Sequence, residues 1–109
     1  MKKILLAYDG GEPAKRALEQ TIELATRFEA QVGVISVVPV RSGRTAIDPW
    51  DDRTVHAEEL LEARRALREA GIEAEMLEPG GDVARTIERV ADERGYDTIV
   101  VGTRGVRSL

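Results

Sequence analysis

The sequence has 109 residues, of which 42% are hydrophobic, 33% charged and 4% aromatic, and its formal net charge is −4 at pH 7. These values indicate one soluble domain with an aliphatic core, and the negative charge argues against nucleic-acid binding, which requires a basic face. The absence of cysteine excludes disulfides and thiolate metal sites, and a single histidine argues against a zinc site.

The first predicted strand is the apolar run Ile4–Asp9, which ends on a carboxylate. A run without polar alternation is typical of a strand that is buried on both faces of a parallel sheet. Gly10 and Gly11, followed by Pro13, predict a sharp turn into a helix. Asp9 is therefore expected at the carboxyl end of a central strand, where open α/β sheets bind their ligands.

The next elements are a helix, a second strand and a long connection. Apolar residues at three-to-four spacing from Ala14 to Phe28 predict the helix, and the β-branched run from Val32 to Val38 predicts a second buried strand. The segment from Pro39 to about Asp52 has no periodicity. We expect a functional or mobile loop there, with Arg41 to Asp52 as the most mobile part without ligand.

The second half of the chain repeats this pattern twice. A helix from about Ala57 to Leu67 is predicted to end at Gly71. The following strand, Ile72–Leu77, alternates apolar and acidic residues, which predicts an edge position. Asp82 is a good N-cap for a third helix, which Gly95 ends, and the fourth strand is Thr98–Val101.

The resulting β-α-β-α-β-α-β order predicts an α/β fold, an open parallel sheet with helices on both faces. The edge character of the third strand suggests the strand order 3-2-1-4. Right-handed crossovers then place the first two helices on one face and the third helix on the other. Asp9 and the segment Gly102–Gly105 flank the point between strands 1 and 4 where the order reverses.

Asp9 and this glycine segment each allow two interpretations. The carboxylate could hold the amides of the Gly10-Gly11 turn, and the two glycines could form a tight turn with positive φ. Together, however, they resemble a nucleotide site, because glycines let backbone N–H groups approach phosphates and Arg104 adds positive charge. The Rossmann and P-loop glycine motifs do not occur in the sequence. A response-regulator receiver would have an Asp at the end of its third strand, and here that strand runs into Glu78-Pro79.

Two groups of polar residues on the second helix are interpreted as structural. His56 is interpreted as a solvated or capping residue near the start of that helix. The pairs Glu58-Glu59 and Arg64-Arg65 are interpreted as its solvated face.

The sequence resembles the universal stress protein family along its whole length. The resemblance rests on Ile4–Gly10, on the Ala/Leu-rich helix that follows, and on Tyr96–Gly105, which is similar to the family's Asp-x-hydrophobic-Val-x-Gly-Ser/Thr-Arg-Gly signature. It implies an adenine nucleotide alpha hydrolase-like fold and a nucleotide site. The implied site residues are Asp9, Gly10, Val38, Gly102, Thr103, Arg104 and Gly105.

The same resemblance implies a small stress-response regulator that binds ATP or AMP, with Mg²⁺ as a candidate companion. We expect no catalytic residues, because no activated nucleophile and no base with an orienting partner can be identified, so ATP hydrolysis would be slow and incidental. Two alternatives remain: a dimerising interaction module that binds no nucleotide, and a nucleotide-handling enzyme of a related group.

The last expectations concern the compartment of the protein and the carboxyl-terminal part of the fold. No apolar run approaches roughly 20 residues, and the first strand begins too early for a signal peptide, so we expect a cytoplasmic protein without a membrane partner. Residues 1–109 are expected to form a single domain that lacks the family's last helix and strand. Strand 4 would then be a bare edge beside an exposed apolar face. This predicts either further residues or a second chain, as in a homodimer or higher homo-oligomer.

Overall fold

A five-stranded sheet flanked by helices organises the fold. The structure is a computed structural model that describes residues 1–39, 49–102 and 105–109, without the side chains of residues 49–55, 107 and 108. The elements in chain order are β1 Lys3–Ala7, α1 Glu12–Phe28, β2 Gln31–Ile35, β3 Val38–Pro39, α2 Pro49–Glu69, β4 Ala74–Leu77, β5 Gly80–Gly81, α3 Val83–Arg94, β6 Thr98–Val101 and β7 Gly105–Ser108.

The strands of the main sheet lie in the order β4-β2-β1-β6-β7. The first four correspond to the four predicted strands, and they are parallel and in the predicted order. The prediction of a bare edge at β6 is wrong, because β7 pairs antiparallel with it, with Val101 opposite Gly105. The edge of β6 is thus covered by a strand of the same chain.

The two faces of the sheet carry separate cores, and the predicted distribution of the helices is confirmed. Ile4 and Leu6 of β1 pack with α1 and α2 on one face, whereas Leu5 packs with α3 on the other. The predicted exposed apolar face is also wrong among the described residues. On the α3 side, Leu5, Ile35 and Ile99 are at most 5% exposed.

The segment after β2 differs from the prediction. The second strand ends at Ile35 instead of Val38, and Val38–Pro39 forms a short parallel pair with Gly80–Gly81. Helix α2 begins at Pro49, so the last residues of the predicted loop are helical. The remaining loop residues, 40–48, lie outside the described part of the chain. Their predicted mobility therefore stays a prediction.

The predicted boundaries of α3 and the predicted end of α2 are confirmed. The Asp82 carboxylate accepts the Arg85 amide at 3.0 Å and caps α3. Gly95 at the end of α3 and Gly71 after α2 both adopt positive φ, which glycine tolerates without steric cost. The chain can therefore turn sharply into β6 and β4.

Asp97 connects the amino terminus to the start of β6. Its carboxylate accepts the backbone N–H groups of Lys2 and Lys3 at 2.8 and 3.1 Å and the Thr98 hydroxyl at 2.7 Å. Its backbone carbonyl accepts the Leu109 amide at 2.9 Å. The Thr98 hydrogen bond and the two amides lower the Asp97 pKa, because they stabilise the carboxylate.

Candidate functional site

A cavity of about 320 Å³ opens where β1, β2 and β6 end, at the predicted switch point of the sheet. Most of its lining is apolar, with a few polar groups among it, which is the usual make-up of a small-molecule site. The lining residues are Ala7, Tyr8, Asp9, Pro13, Ala14, Ile35, Ser36, Val37, Pro39, His56, Val83, Ile87, Val101 and Gly102.

Asp9 lies two residues beyond the end of β1 and lines this cavity. Its Oδ1 accepts the Gly11 amide at 2.9 Å, so the turn interpretation of this carboxylate is confirmed. One carboxylate offers about four lone-pair positions. Asp9 can therefore hold the turn into α1 and still accept hydrogen bonds from a ligand.

Gly102 lies at the other side of the cavity, and its missing side chain has a packing role. A Cβ atom there would lie 2.6 Å from the Pro13 carbonyl carbon and 2.8 Å from the Ala14 nitrogen. Both are backbone atoms, which cannot move aside without shifting α1. The glycine thus lets the first turn of α1 approach the end of β6 and form one wall of the cavity.

The other predicted site residues are placed as follows. The Val38 backbone N–H donates to the Pro79 carbonyl at 2.9 Å, and the neighbouring Val37 lines the cavity in its place. Gly10 has positive φ, and a Cβ atom there would lie 3.1 Å from the Glu59 Cγ atom. Gly105 begins β7 with a φ of +72°, as the tight-turn interpretation predicts. Thr103 and Arg104 lie outside the described residues.

A polar cluster under α2 was not predicted from the sequence. Ser36, at the end of β2, forms a hydrogen bond through its Oγ with Nδ1 of His56. The same Nδ1 lies 3.4 Å from Oε2 of Glu59, one helical turn further along α2. The side chains of His56 and Glu59 are only 19% and 18% exposed. The interpretation of Glu59 as a solvated residue is therefore wrong. The interpretation of His56 as a solvated or capping residue is also wrong, because His56 lies well inside α2, which begins at Pro49.

The charge of Glu59 is partly compensated. Burial raises the Glu59 pKa and the Asp9 carboxylate adds to the rise, whereas His56 and Ser36 lower it. Oε2 is buried and has no hydrogen-bond partner among the described residues. The His56 ring, whose Nδ1 atom lies 3.4 Å from this oxygen, can compensate its charge.

This cluster brings a hydroxyl, an imidazole and a carboxylate together, but it does not have the geometry of a catalytic triad. In a triad, the base contacts the nucleophile with one ring nitrogen and the orienting acid with the other. Here Ser36 and Glu59 both approach Nδ1. The Ser36 residue is also only 2% exposed. The arrangement orients the imidazole ring toward the cavity.

Two signals in the sequence relate to this cluster. Ser36 is a polar residue within an otherwise β-branched run, and a polar residue in a buried strand needs a partner. His56 and Glu59 have the i, i+3 spacing that places both on one side of a helix. Neither signal predicts that the side chain of Ser36 contacts the side of α2 that carries His56 and Glu59.

Tyr8 connects the end of β1 to α2 beside the cavity. Its hydroxyl donates to Glu62 Oε1 at 2.6 Å, and the residue is 2% exposed. Burial, followed by the bond to Glu62, raises the Tyr8 pKa, so the phenol stays protonated and keeps donating. This bond fixes α2 over the carboxyl end of β1.

The described residues contain neither a candidate metal-ion site nor a membrane-spanning helix. No three metal-binding side chains lie close enough together to hold a metal ion. Among the helices described, none has the length and apolar character needed to cross a membrane.

Comparison with known proteins places these features in a family. The model of the universal stress protein family matches residues 1–109. The chain is 32% identical to universal stress protein MJ0531 of Methanocaldococcus jannaschii, over 99% of this chain and 68% of that protein. It is 29% identical to universal stress protein YxiE of Bacillus subtilis, over 98% of this chain and 82% of that protein.

Solved structures of the family have the same fold. A family member from Burkholderia pseudomallei has a TM-score of 0.82 at 29% identity, covering 93% of this chain and 80% of that chain. The Archaeoglobus fulgidus protein in complex with dAMP has a TM-score of 0.77 at 24% identity, with coverages of 93% and 80%. An Arabidopsis thaliana family protein with AMP bound has a TM-score of 0.65 at 21% identity, with coverages of 93% and 76%. The chain belongs to the universal stress protein family.

Proposed function

We propose that this protein is a small regulatory protein of the stress response that binds an adenine nucleotide in the cavity at the switch point. The observation that carries the proposal is the convergence of Asp9, Val37 and Gly102 on one cavity at the ends of three neighbouring strands. Open α/β sheets bind ligands at this position. The two solved family structures with dAMP and AMP support an adenine nucleotide as the ligand class.

The lining fits the nucleoside part of such a ligand. Val37, Pro39 and Ile87 provide apolar surface for a planar base, and Asp9 offers carboxylate oxygens to a sugar hydroxyl or an exocyclic amine. The proposed orientation therefore places the base towards the end of β2 and the sugar beside Asp9.

The phosphates would then extend along the segment that follows β6. The family resemblance assigns this role to Gly102, Thr103, Arg104 and Gly105, in which backbone N–H groups and a guanidinium can bind phosphate oxygens. We propose ATP as well as AMP as ligand. With ATP, Mg²⁺ would be held by the phosphates and water, with Asp9 as the carboxylate of the lining.

The proposed mode of action is regulatory and non-catalytic, in the cytoplasm. Ser36 contacts Nδ1 of His56 but is almost completely buried, and Glu59 approaches the same ring nitrogen. This geometry supports a role in ligand positioning better than a role in nucleophilic attack. Any ATP hydrolysis would be slow and incidental.

Self-association is a second proposed property. β7 leaves one edge of the sheet free among the described strands, and Val106 and Leu109 on this segment are 37% and 64% exposed. An unpaired strand edge presents free backbone N–H and C=O groups that can pair with another chain. We therefore propose a homodimer or higher homo-oligomer, which light scattering across a concentration series tests directly.

Titration calorimetry with AMP and with ATP, the latter with and without Mg²⁺, tests the proposed ligand. We expect saturable binding at one site per chain for at least one adenine nucleotide, and no comparable binding of a pyrimidine nucleotide. A chain that is folded by circular dichroism but binds none of these nucleotides would refute nucleotide binding. Association without nucleotide binding would instead favour the interaction module.

A further inference from the structure

Ser36 and His56 of the Ser36–His56–Glu59 cluster line the β2 side of the cavity, and the proposed role in ligand positioning leaves open which ligand group they contact. The His56 ring lines the cavity, and its Nδ1 atom faces two oxygens, Ser36 Oγ and Glu59 Oε2. Among the described residues, Nε2 has no hydrogen-bond partner. The ring therefore has one nitrogen fixed by the protein and a second nitrogen available to a ligand.

The partners of Nδ1 determine the chemistry of Nε2. An ionised carboxylate only accepts hydrogen bonds, and Glu59 Oε2 is buried without a donor among the described residues. A proton on Nδ1 compensates this oxygen, and Ser36 Oγ can accept from the same N–H. The two oxygens facing Nδ1 favour the tautomer of the neutral imidazole that carries its proton on Nδ1, and in this tautomer Nε2 is an acceptor.

We propose that His56 is a specificity-determining residue of the nucleotide site, in which Nε2 accepts a hydrogen bond from an N–H or O–H donor of the nucleoside. This inference rests on the proposed function. The donor is either the exocyclic amine of adenine or a hydroxyl of the sugar. A nucleotide that carries an acceptor or no group at that position leaves Nε2 unpaired in a largely apolar cavity, which costs binding free energy.

The same cluster also sets the orientation of the ligand. Phosphate oxygens are acceptors and carry negative charge, so they cannot pair with an unprotonated Nε2. Glu59 and Asp9 add negative charge on this side of the cavity. The β2 side therefore takes the uncharged nucleoside, and the phosphates lie towards Gly102.

The first experiment measures affinities by calorimetry for AMP, inosine monophosphate, 2′-deoxy-AMP and 3′-deoxy-AMP. Inosine monophosphate has a carbonyl in place of the amine, and each deoxy analogue lacks one hydroxyl. We expect one of these analogues to bind about tenfold or more weakly than AMP, and which one does so identifies the donor. Equal affinity of the wild-type chain for all four overturns the proposal.

The second part of this experiment assigns the discrimination to the ring nitrogen. His56→Phe keeps a planar ring without Nε2, and we expect the discrimination between AMP and the weak analogue to be lost. Glu58→Gln, an exposed change on the same helix, is the matched control and should retain it. Undiminished discrimination in His56→Phe overturns the proposal.

A spectroscopic measurement does not depend on the folding of any variant. His56 is the only histidine of the chain, so its ring nitrogen signals need no assignment by mutation. In the ¹⁵N-labelled wild type we expect a protonated Nδ1 and an unprotonated Nε2 whose shift changes when AMP is added. AMP binding with both signals unchanged overturns this inference alone, whereas absence of binding for both AMP and ATP refutes the proposed function as well.

Discussion

Gly102 and Pro13 are in backbone contact, so close that a Cβ atom on Gly102 would lie 2.6 Å from the Pro13 carbonyl carbon. This contact joins the end of β6 to the first turn of α1. It explains a glycine at this position by packing, independently of any phosphate. The fold therefore requires a glycine at position 102 whether or not this residue also contacts a ligand.

Gly102→Ala is predicted to destabilise the fold, because neither backbone segment can move aside. Overpacking of this kind costs about 1–3 kcal/mol. Gly105→Ala is the matched control, since its Cβ atom would meet open space and only the positive φ would add strain, about 1 kcal/mol. Urea unfolding of both variants checks this, and a Gly102 variant that is no less stable than the Gly105 variant would contradict the packing role.

Asp9→Ala is predicted to weaken adenine nucleotide binding by about 1–3 kcal/mol, because a buried ligand group would lose its acceptor. The carboxylate also accepts the Gly11 amide. Asp9→Asn therefore serves as control, since the amide oxygen can still hold this turn. Calorimetry that gives Asp9→Ala the wild-type affinity would remove Asp9 from the site.

Gly33→Ala is predicted to be strongly destabilising through Tyr96. A Cβ atom on Gly33 would lie 2.0 Å from the Tyr96 hydroxyl oxygen, which donates to Glu75 Oε1 at 2.8 Å. We expect a loss of about 1–3 kcal/mol. On a Tyr96→Phe background the loss should be smaller, because the nearest atom is gone. Equal losses on both backgrounds would show that the two residues are not coupled.

The stability of the fold is predicted to decrease in acid partly through Asp97. Its folded pKa is lowered, so the unfolded chain binds the proton more readily and the carboxylate stabilises the fold above the unfolded pKa. This contribution decreases as the pH falls towards the folded pKa. Asp97→Asn should therefore be less stable than wild type at pH 7, with a gap that narrows on acidification. Asp92→Asn on the exposed side of α3 is the control, and a pH-independent gap for Asp97→Asn would contradict the linkage.

The parts of the fold that follow from local pattern could be predicted from the sequence. Uninterrupted apolar runs identify Ile4–Leu6 and Thr98–Val101 as buried strands, and the alternation in Ile72–Leu77 identifies the edge of the sheet. Asp82 and Gly95 give the limits of α3 because capping depends on a few neighbouring residues.

The contacts that complete the site depend on tertiary structure. Ser36 and His56 are 20 residues apart and meet only after α2 has packed over the end of β2. Gly105–Ser108 contains too few apolar residues to predict a strand, and its pairing with β6 becomes visible only in the sheet. Val37 rather than Val38 lines the cavity because Val38 pairs with Gly80.

The most direct measurement is an amide NMR titration of the ¹⁵N-labelled protein with AMP and with ATP. Binding at the switch point predicts saturable shift changes that are largest at Asp9, Val37 and Gly102, at the ends of three neighbouring strands. The amides of Leu61 and Arg68 on the outer surface of α2 should remain unchanged. No shift changes with either AMP or ATP, or changes centred on the outer surface of α2, would contradict nucleotide binding in this cavity.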